Sequence, residues 1–372
     1  MADIRVLMMG GRRSGKSSIL ASMVEQMSND VVLCKQFINM TPCRDNDNTA
    51  LSLEQKRNKL VSFLESKPVK CHYLVDFGAD FQFNFYDFKC KIPKPNGGTH
   101  WGNIKVEFID CPGEAFDINS QPTQYNELEK YVSNSDIFII VVDTPYLMAE
   151  KSDSGKFSDV NKTSTIKELL KTNVHFKRED DYKKIIFVPV KCEKWKNNLD
   201  AVSQKLKEQN YFGSIMDLID SDARWSYSII PAITAGSIEF SEFGKPSLER
   251  NTMMECSQLG NSPIYRMKDG NNKMIKKEDV IANTDVHFPF YSWFINNDNK
   301  YAPENCDQIG LHIWRFIIYK TKIDTSNTFL PNLLRGFPTI SKLGEMIKTM
   351  ETCGKIRDDG NGIVNLRKIE HL

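Results

Sequence analysis

The chain has 372 residues, of which 49 are Lys or Arg and 48 are Asp or Glu, so its formal net charge at pH 7 is +1. This balance argues against a general nucleic-acid-binding surface, which needs a strong basic excess. Hydrophobic residues make up 40% of the chain and charged residues 26%, which excludes an intrinsically disordered protein and predicts a large folded core.

The composition also bears on the compartment. The longest apolar run, Ile137–Val142, has six residues, against the roughly 20 that a membrane-spanning helix needs. No stretch resembles a secretory signal peptide. The nine cysteines are scattered, odd in number and never spaced Cys-x-x-Cys, which is typical of free thiols in a reducing compartment. We therefore expect a cytoplasmic protein without a transmembrane segment.

Apolar runs predict the strands of a buried sheet. The first run, Ile4–Met9, precedes a glycine turn and a helical stretch from Lys16 to Met27, which together predict a strand, a turn and a helix. Later runs rich in Ile, Val and Phe predict further buried strands. These runs are Ile104–Ile109, Ile137–Val142, Ile185–Val190 and Ile229–Ile233.

Helical periodicity separates these strands. Apolar residues fall on one helix face near residues 125–132, 166–170 and 202–219, and the last stretch is broken near Gly213. Phe83 and Phe85 alternate with polar residues, which predicts a half-exposed strand antiparallel to the one at 104–109. Strands that alternate with helices predict an α/β protein with a doubly wound, mostly parallel sheet.

Two stretches exceed what such a sheet requires. Residues 30–80 contain a polar loop and a predicted helix over Leu51–Leu64, and residues 237–303 are rich in Asn, Asp and Lys. We interpret both as insertions into one domain that spans residues 1–322 and includes a strong helix over Ile309–Ile318. Residues 323–372 are expected to form a C-terminal extension with its own helix.

The strongest motif is Gly10-Gly11-Arg12-Arg13-Ser14-Gly15-Lys16-Ser17, which matches Gly-x-x-x-x-Gly-Lys-Ser/Thr in full between a predicted strand and helix. Glycines let backbone N–H groups wrap anionic phosphates, and the dipole of the helix N-terminus favours the anion. In this pattern Lys16 reaches the β- and γ-phosphates and Ser17 ligates Mg²⁺. The predicted phosphate-binding residues are Gly10, Arg13, Ser14, Gly15, Lys16, Ser17 and Ser18.

A second motif, Asp110-Cys111-Pro112-Gly113, follows the predicted strand at 104–109. Asp110 can hold Mg²⁺ through water, and the N–H of Gly113 can donate to a γ-phosphate. Glu114 comes next and is the candidate for orienting an attacking water, so we predict Lys16 and Glu114 as catalytic residues. An acid at this position can equally stabilise a helix start.

With these motifs the chain resembles the translation-factor-related class of P-loop GTPases. Asp-Cys-Pro-Gly has the form found in translational elongation factors, and Gly-Gly-x-x-x-Gly-Lys-Ser-Ser is similar to the loop of dynamin-type proteins. Overall, the chain resembles bacterial double-GTPase-type proteins of biological-conflict systems over residues 3–240 and the helix at 309–318. The resemblance implies a nucleotide-switched G-domain that binds Mg·GTP, and a role in a bacterial conflict or defence system.

The resemblance also implies base-binding residues. Lys191-Cys192-Glu193 stands where the class has Lys-x-Asp, so the stem of Lys191 would cover the purine and Glu193 would accept hydrogen bonds from guanine. Val190 replaces the usual Asn or Thr, so an orienting hydrogen bond is missing. Thr234-Ala235 resembles the class's Ser/Thr-Ala turn, whose backbone contacts guanine O6. Residues 191–196 can alternatively be an exposed, charged strand end.

Some positions stay open at this point. Arg12 and Arg13 can supply a cis arginine to the transferring phosphate, or they can be solvated surface charges. The threonine that completes Mg²⁺ coordination in this class has two candidates, Thr41 and Thr49, and either can be an ordinary loop residue.

The leading functional prediction is a cytosolic GTPase that binds GTP and GDP, hydrolyses GTP slowly with Mg²⁺ and acts as a regulatory switch. We expect a protein partner or self-association through the insertions, and no nucleic acid. The first alternative is an ATPase or small-molecule kinase that uses the same glycine-rich loop. The second is a nucleotide-binding scaffold with negligible hydrolysis.

Overall fold

The computed structural model describes the sheet, its helices and part of each insertion. Within the described residues no helix is long and apolar enough to cross a membrane. The cysteines whose side chains are described are free thiols. The described residues are 4–12, 14–29, 39–43, 49–65, 70–71, 82–92, 102–119, 121–149, 155–176, 181–244, 291–296 and 300–327.

The described strands belong to two sheets, and in chain order they are β1 (Ile4–Met9), β2 (Asn39–Pro42), β3 (Lys70–Cys71), β4 (Asn84–Ile92), β5 (Gly102–Asp110), β6 (Ile137–Asp143), β7 (Lys183–Val190), β8 (Trp225–Ile229), β9 (Ile238–Gly244) and β10 (Tyr291–Asn296). They form a seven-stranded sheet in the order β2-β4-β5-β1-β6-β7-β8, and a separate three-stranded sheet in the order β3-β10-β9.

Most of the large sheet is parallel. β1 lies between β5 and β6 and pairs with both in parallel, and β7 and β8 continue this direction on the β6 side. β4 runs antiparallel to β5, as the Phe83 and Phe85 alternation predicts, and β2 runs antiparallel to β4 at the edge. The prediction of an α/β, doubly wound, mostly parallel sheet is confirmed.

The helices cover both faces of the sheet. In chain order the described helices are α1 (Lys16–Asn29), α2 (Thr49–Glu65), α3 (Pro122–Asn134), α4 (Thr144–Leu147), α5 (Gly155–Asn161), α6 (Thr163–Asn173), α7 (Leu199–Leu206), α8 (Ser214–Asp220) and α9 (Cys306–Asn327). Alternate β1 side chains point to opposite faces, so Val6 packs beneath α1 and α9 while Leu7 packs beneath α3 and α6.

The last strand of the sheet is displaced from its prediction. The apolar run Ile229–Ile233 predicts a strand there, but β8 spans Trp225–Ile229 and ends where that run begins. Pro231 has no N–H to donate to a ladder, and the two serines of β8, Ser226 and Ser228, are buried. Because β8 contains these two buried serines, it lacks the continuous apolar run that predicts the other buried strands.

The two insertions contribute to one small sheet. β3 belongs to the first insertion, β9 and β10 belong to the second, and β10 pairs antiparallel with both of the others. The rest of the second insertion, at 245–290, lies outside the described residues. α9 continues to Asn327, and the helix predicted within the C-terminal extension lies outside the described residues.

Close packing of α1 against α9 leads to the first prediction. A Cβ atom on Gly310 would lie 2.4 Å from Met27 Sδ, and because this flexible side-chain end can move aside, Gly310→Val should lower the free energy of unfolding by only about 1 kcal/mol. Urea denaturation measures this change. The double variant Met27→Ala/Gly310→Val is the control, because removing the Met27 side chain should make the second substitution less destabilising. Equal effects of Gly310→Val in both backgrounds would contradict the contact.

Candidate functional site

The candidate site lies at the carboxyl edge of the parallel strands. The glycine-rich loop, residues 10–17, connects β1 to α1 on one face, whereas β5 and β6 lead to helices on the other face. Neighbouring strands whose connections leave on opposite faces open a crevice at this edge, which is where α/β sheets bind ligands. The structure therefore brings the two strongest sequence motifs to the same edge of the sheet.

Lys16 is held inside the glycine-rich loop. Its Nζ atom donates to the carbonyl oxygens of Gly10 (2.9 Å) and Gly11 (3.0 Å), and the residue is 8% exposed. The turn also requires Gly15, whose φ of +101° lies in the region that residues with a Cβ rarely adopt. Both of these hydrogen-bond partners of the buried Lys16 side chain are neutral carbonyl groups, and neither is a carboxylate.

Ser17 and Asp110 join the two motifs directly. The Ser17 hydroxyl, in the first turn of α1, donates to Asp110 Oδ2 at 2.6 Å, and Asp110 is buried at the end of β5. A hydroxyl and a carboxylate are hard oxygen donors of the kind that Mg²⁺ prefers. The pair fits the predicted magnesium site. No group of three or more His, Cys, Asp or Glu side chains in the described part of the chain could hold a metal.

The remaining phosphate-binding predictions have different environments. Ser14 is buried, and its hydroxyl has no hydrogen-bond partner among the described residues. Ser18 is also buried in the first turn of α1. Gly10 lies against the Val141 backbone of β6, and Arg13 lies outside the described residues.

The turn after β5 packs onto the glycine-rich loop. Gly113 begins a 3₁₀ turn, Gly113–Phe116, and approaches the Arg12 backbone so closely that a Cβ atom would collide with it. Glu114 pairs with Arg12 at 2.9 Å between Nε and Oε1. The Arg12 side chain is 57% exposed, so this ion pair contributes little to stability. The ion pair places Arg12, whose role the sequence does not decide, beside the predicted catalytic residue Glu114.

A second cluster lies after β6 and β7. Lys191 follows β7 with a left-handed backbone (φ +60°), and its Nζ pairs with the buried carboxylate of Asp143 at the end of β6. The Thr144 hydroxyl and the Cys192 thiol share a hydrogen bond of 3.2 Å. Sequence reasoning missed Asp143, although it ends an apolar strand just as Asp110 does.

Glu193 is buried, which excludes the interpretation of this residue as an exposed strand end. Its Oε1 accepts from the backbone N–H groups of Ala235 (3.3 Å) and Gly236 (3.4 Å). Burial raises the pKa of Glu193 from 4.5 to about 7, against the opposing effect of the N–H donors. The predicted base-binding residues Glu193 and Ala235 therefore bind each other in this structure.

The turn at 234–236 also contacts the helix that follows the glycine-rich loop. Ser22 of α1 donates to the Thr234 carbonyl oxygen at 2.9 Å, and the Tyr301 hydroxyl donates to Ser22 at 3.0 Å. The hydrogen bond between Ser22 and Thr234 therefore joins the helix after the glycine-rich loop to the turn that contains the predicted base-binding residues.

The candidate threonines remain unassigned. Thr49 is buried at the start of α2, and its hydroxyl accepts from the Asp87 N–H at 3.1 Å. Thr41 lies in β2, where it pairs with Lys89 of β4. Neither position makes a described contact with the glycine-rich loop.

The raised pKa of Glu193 leads to a pH prediction. The folded protein binds this proton more tightly than the unfolded chain, so the stabilisation is full below pH 4.5 and is lost as the pH rises through about 7. The loss should be on the order of 3 kcal/mol. Urea unfolding measured against pH for the wild type and Glu193→Gln isolates this component, because the amide does not titrate. Parallel profiles for the two proteins would contradict the prediction.

No protein-family model matches the chain, and no curated protein sequence matches it at a significant level. The resemblance to P-loop GTPases thus depends on the motifs themselves. What the structure adds is their arrangement at one edge of the sheet, with Ser17 bonded to Asp110 and Glu193 bonded to Ala235.

Proposed function

We propose that the chain is a P-loop GTP-binding protein that holds GTP with Mg²⁺, hydrolyses it slowly and acts as a regulatory switch. The observation that carries this proposal is the hydrogen bond between Ser17 and Asp110 beside the buried Lys16. It brings a hydroxyl, a carboxylate and an ammonium to the mouth of a glycine-rich loop. These are the groups that bind a magnesium triphosphate.

The phosphates would take over contacts that the loop now makes internally. Lys16 donates to two carbonyl oxygens, which β- and γ-phosphate oxygens would replace with stronger, charge-assisted hydrogen bonds. The unpartnered Ser14 hydroxyl adds a further donor. Ser17 and Asp110 would hold Mg²⁺, which neutralises the charge that develops on the phosphates.

The contact between Glu193 and Ala235 supports a guanine site. Guanine carries donors at N1 and its amino group for the carboxylate, and an acceptor at O6 for the Ala235 N–H. It can therefore replace both halves of this hydrogen bond at once. Adenine has an acceptor at N1, so it offers no N1–H donor to Glu193. The stem of Lys191 would cover the ring from the neighbouring loop.

Slow hydrolysis follows from the charges around the γ-phosphate position. Glu114 is an anion paired with Arg12, so it is a poor group for orienting water, and the arginine is engaged elsewhere. We propose that a protein partner or a second copy of the chain completes the site. The small sheet draws strands from both insertions, and we expect the insertions to carry such contacts.

The first prediction from this proposal is nucleotide selectivity. The chain should bind GTP and GDP at least about tenfold more tightly than ATP and ADP, a difference of about 1.4 kcal/mol. Isothermal titration calorimetry with Mg²⁺ and all four nucleotides measures it. Lys16→Ala should abolish triphosphate binding, whereas Lys171→Ala, an exposed lysine on α6, should not. Equal affinities for GTP and ATP would contradict the guanine site and favour the ATPase or kinase alternative. Val190 is compatible with that alternative, because it lacks the orienting hydrogen bond that an asparagine or threonine would supply.

The second prediction concerns turnover. Intrinsic GTP hydrolysis should fall in the range of about 10⁻⁴–10⁻² s⁻¹ that unassisted switch GTPases show. Single-turnover assays over a series of protein concentrations measure it. A rate that increases with concentration would indicate self-association. Fast turnover that is independent of concentration would contradict the assisted switch, and no turnover with tight GTP binding would favour the scaffold alternative.

A further inference from the structure

Asp143 lies at a point where the large sheet and the candidate base site meet. It is the last residue of β6, opposite Val190 of β7 in the parallel register, and only 5% of its side chain is exposed. A carboxylate buried this deeply at the carboxyl edge of the sheet needs a compensating partner. Lys191, which follows β7, supplies that partner through its Nζ atom.

Asp143 is held in place by a backbone contact that does not involve Lys191. Its backbone N–H donates to Asn161 Oδ1 at 2.7 Å, and the Asn161 amide donates in turn to the Phe157 carbonyl oxygen within α5. Both Asn161 and Phe157 are buried. Asp143 is therefore a preorganised group held by a neighbouring helix, and its carboxylate reaches across to the loop after β7.

The loop after β7 takes its orientation from β6. Val190 brings no polar side chain, yet Lys191 adopts a left-handed backbone that non-glycine residues rarely adopt. Two consecutive residues contact this loop: Asp143, at the end of β6, pairs with Lys191, and Thr144, at the start of α4, bonds to Cys192. These two contacts hold the loop, whereas the Val190 side chain cannot supply a hydrogen bond as an asparagine or threonine could.

We infer that Asp143 is a positioning residue for nucleotide binding, which holds the Lys191 stem where it covers the purine ring. This inference rests on the proposed function. A buried ion pair is by itself weak support for a role in stability, since apolar residues of similar volume are often equally stable. Asp143 Oδ1 has no hydrogen-bond partner among the described residues, so in the described structure the carboxylate's side-chain contact is with Lys191.

The experiment compares GDP with inosine diphosphate, which lacks the exocyclic amino group of guanine. Lys191 covers the ring and Glu193 reads the amino group, so the two residues should differ in their effects. Asp143→Asn should weaken both ligands by about tenfold and leave their affinity ratio within about twofold of wild type. Glu193→Ala should reduce the ratio itself. Asp159→Asn, an exposed acid on α5, is the matched control and should bind as wild type does.

Three further variants separate positioning from stability. Asp143→Glu keeps the charge and should retain affinity for GDP within about fivefold. Asp143→Asn/Lys191→Met removes both charges and should bind GDP as Lys191→Met does, within about twofold, because Asp143 acts through Lys191. This comparison and Asp143→Glu decide the matter if Asp143→Asn does not fold.

The outcomes are distinct. A wild-type protein that binds neither diphosphate overturns the proposed function. Normal wild-type binding with an unchanged Asp143→Asn, or a double variant clearly weaker than Lys191→Met, overturns the positioning role alone.

Discussion

Burial of the parallel sheet on both faces is the constraint on which the candidate site depends. Helices cover the two sides of β1, β5, β6, β7 and β8, so most buried side chains of these strands are apolar, with Lys183, Lys184, Ser226 and Ser228 as polar exceptions on β7 and β8. The candidate ligand-binding side chains instead lie where strands end, and parallel strands end at one edge. Asp110 and Asp143 lie at strand ends, while Lys16 and Lys191 lie shortly after them. Their proximity follows from the direction of the strands.

The buried charges at this edge differ in the kind of partner they have. Lys16 is held by carbonyl oxygens and Glu193 by backbone N–H groups, so a ligand can take either side chain without leaving a counter-ion behind. Lys191 is held by a carboxylate, and its removal would strand a buried anion. Two of the contacts are thus suited to exchange with a nucleotide, whereas the third is suited to stay in place.

Local patterns allowed much of the fold to be predicted. The run Ile4–Met9, the glycine-rich loop and Asp110 each depend on neighbouring residues, and all lie where the sequence indicates. The pairing of Asp143 with Lys191 depends on the register between β6 and β7, which no short motif contains.

The same limit applies elsewhere in the chain. β8 was misplaced because Ser226 and Ser228 are buried, and Lys184 of the neighbouring strand donates to Ser228. The small sheet pairs Cys71 with Phe294 and Lys70 with Ile295, which are 223 and 225 residues apart, and composition does not reveal such a pairing.

The hydrogen bond from Ser22 to the Thr234 carbonyl gives α1 two attachments of different kinds. The helix begins in the glycine-rich loop, and less than two turns later it contacts the turn whose N–H groups hold Glu193. Under the proposed function, the polyphosphate of the ligand would bind the loop and the purine would bind beside the 234–236 turn, so α1 would connect the two ends of one ligand. Linkage is reciprocal, so any free energy that binding at the loop contributes to binding at the turn would equal the free energy that the turn contributes to the loop. One helix would thereby allow the two halves of a nucleotide to bind cooperatively.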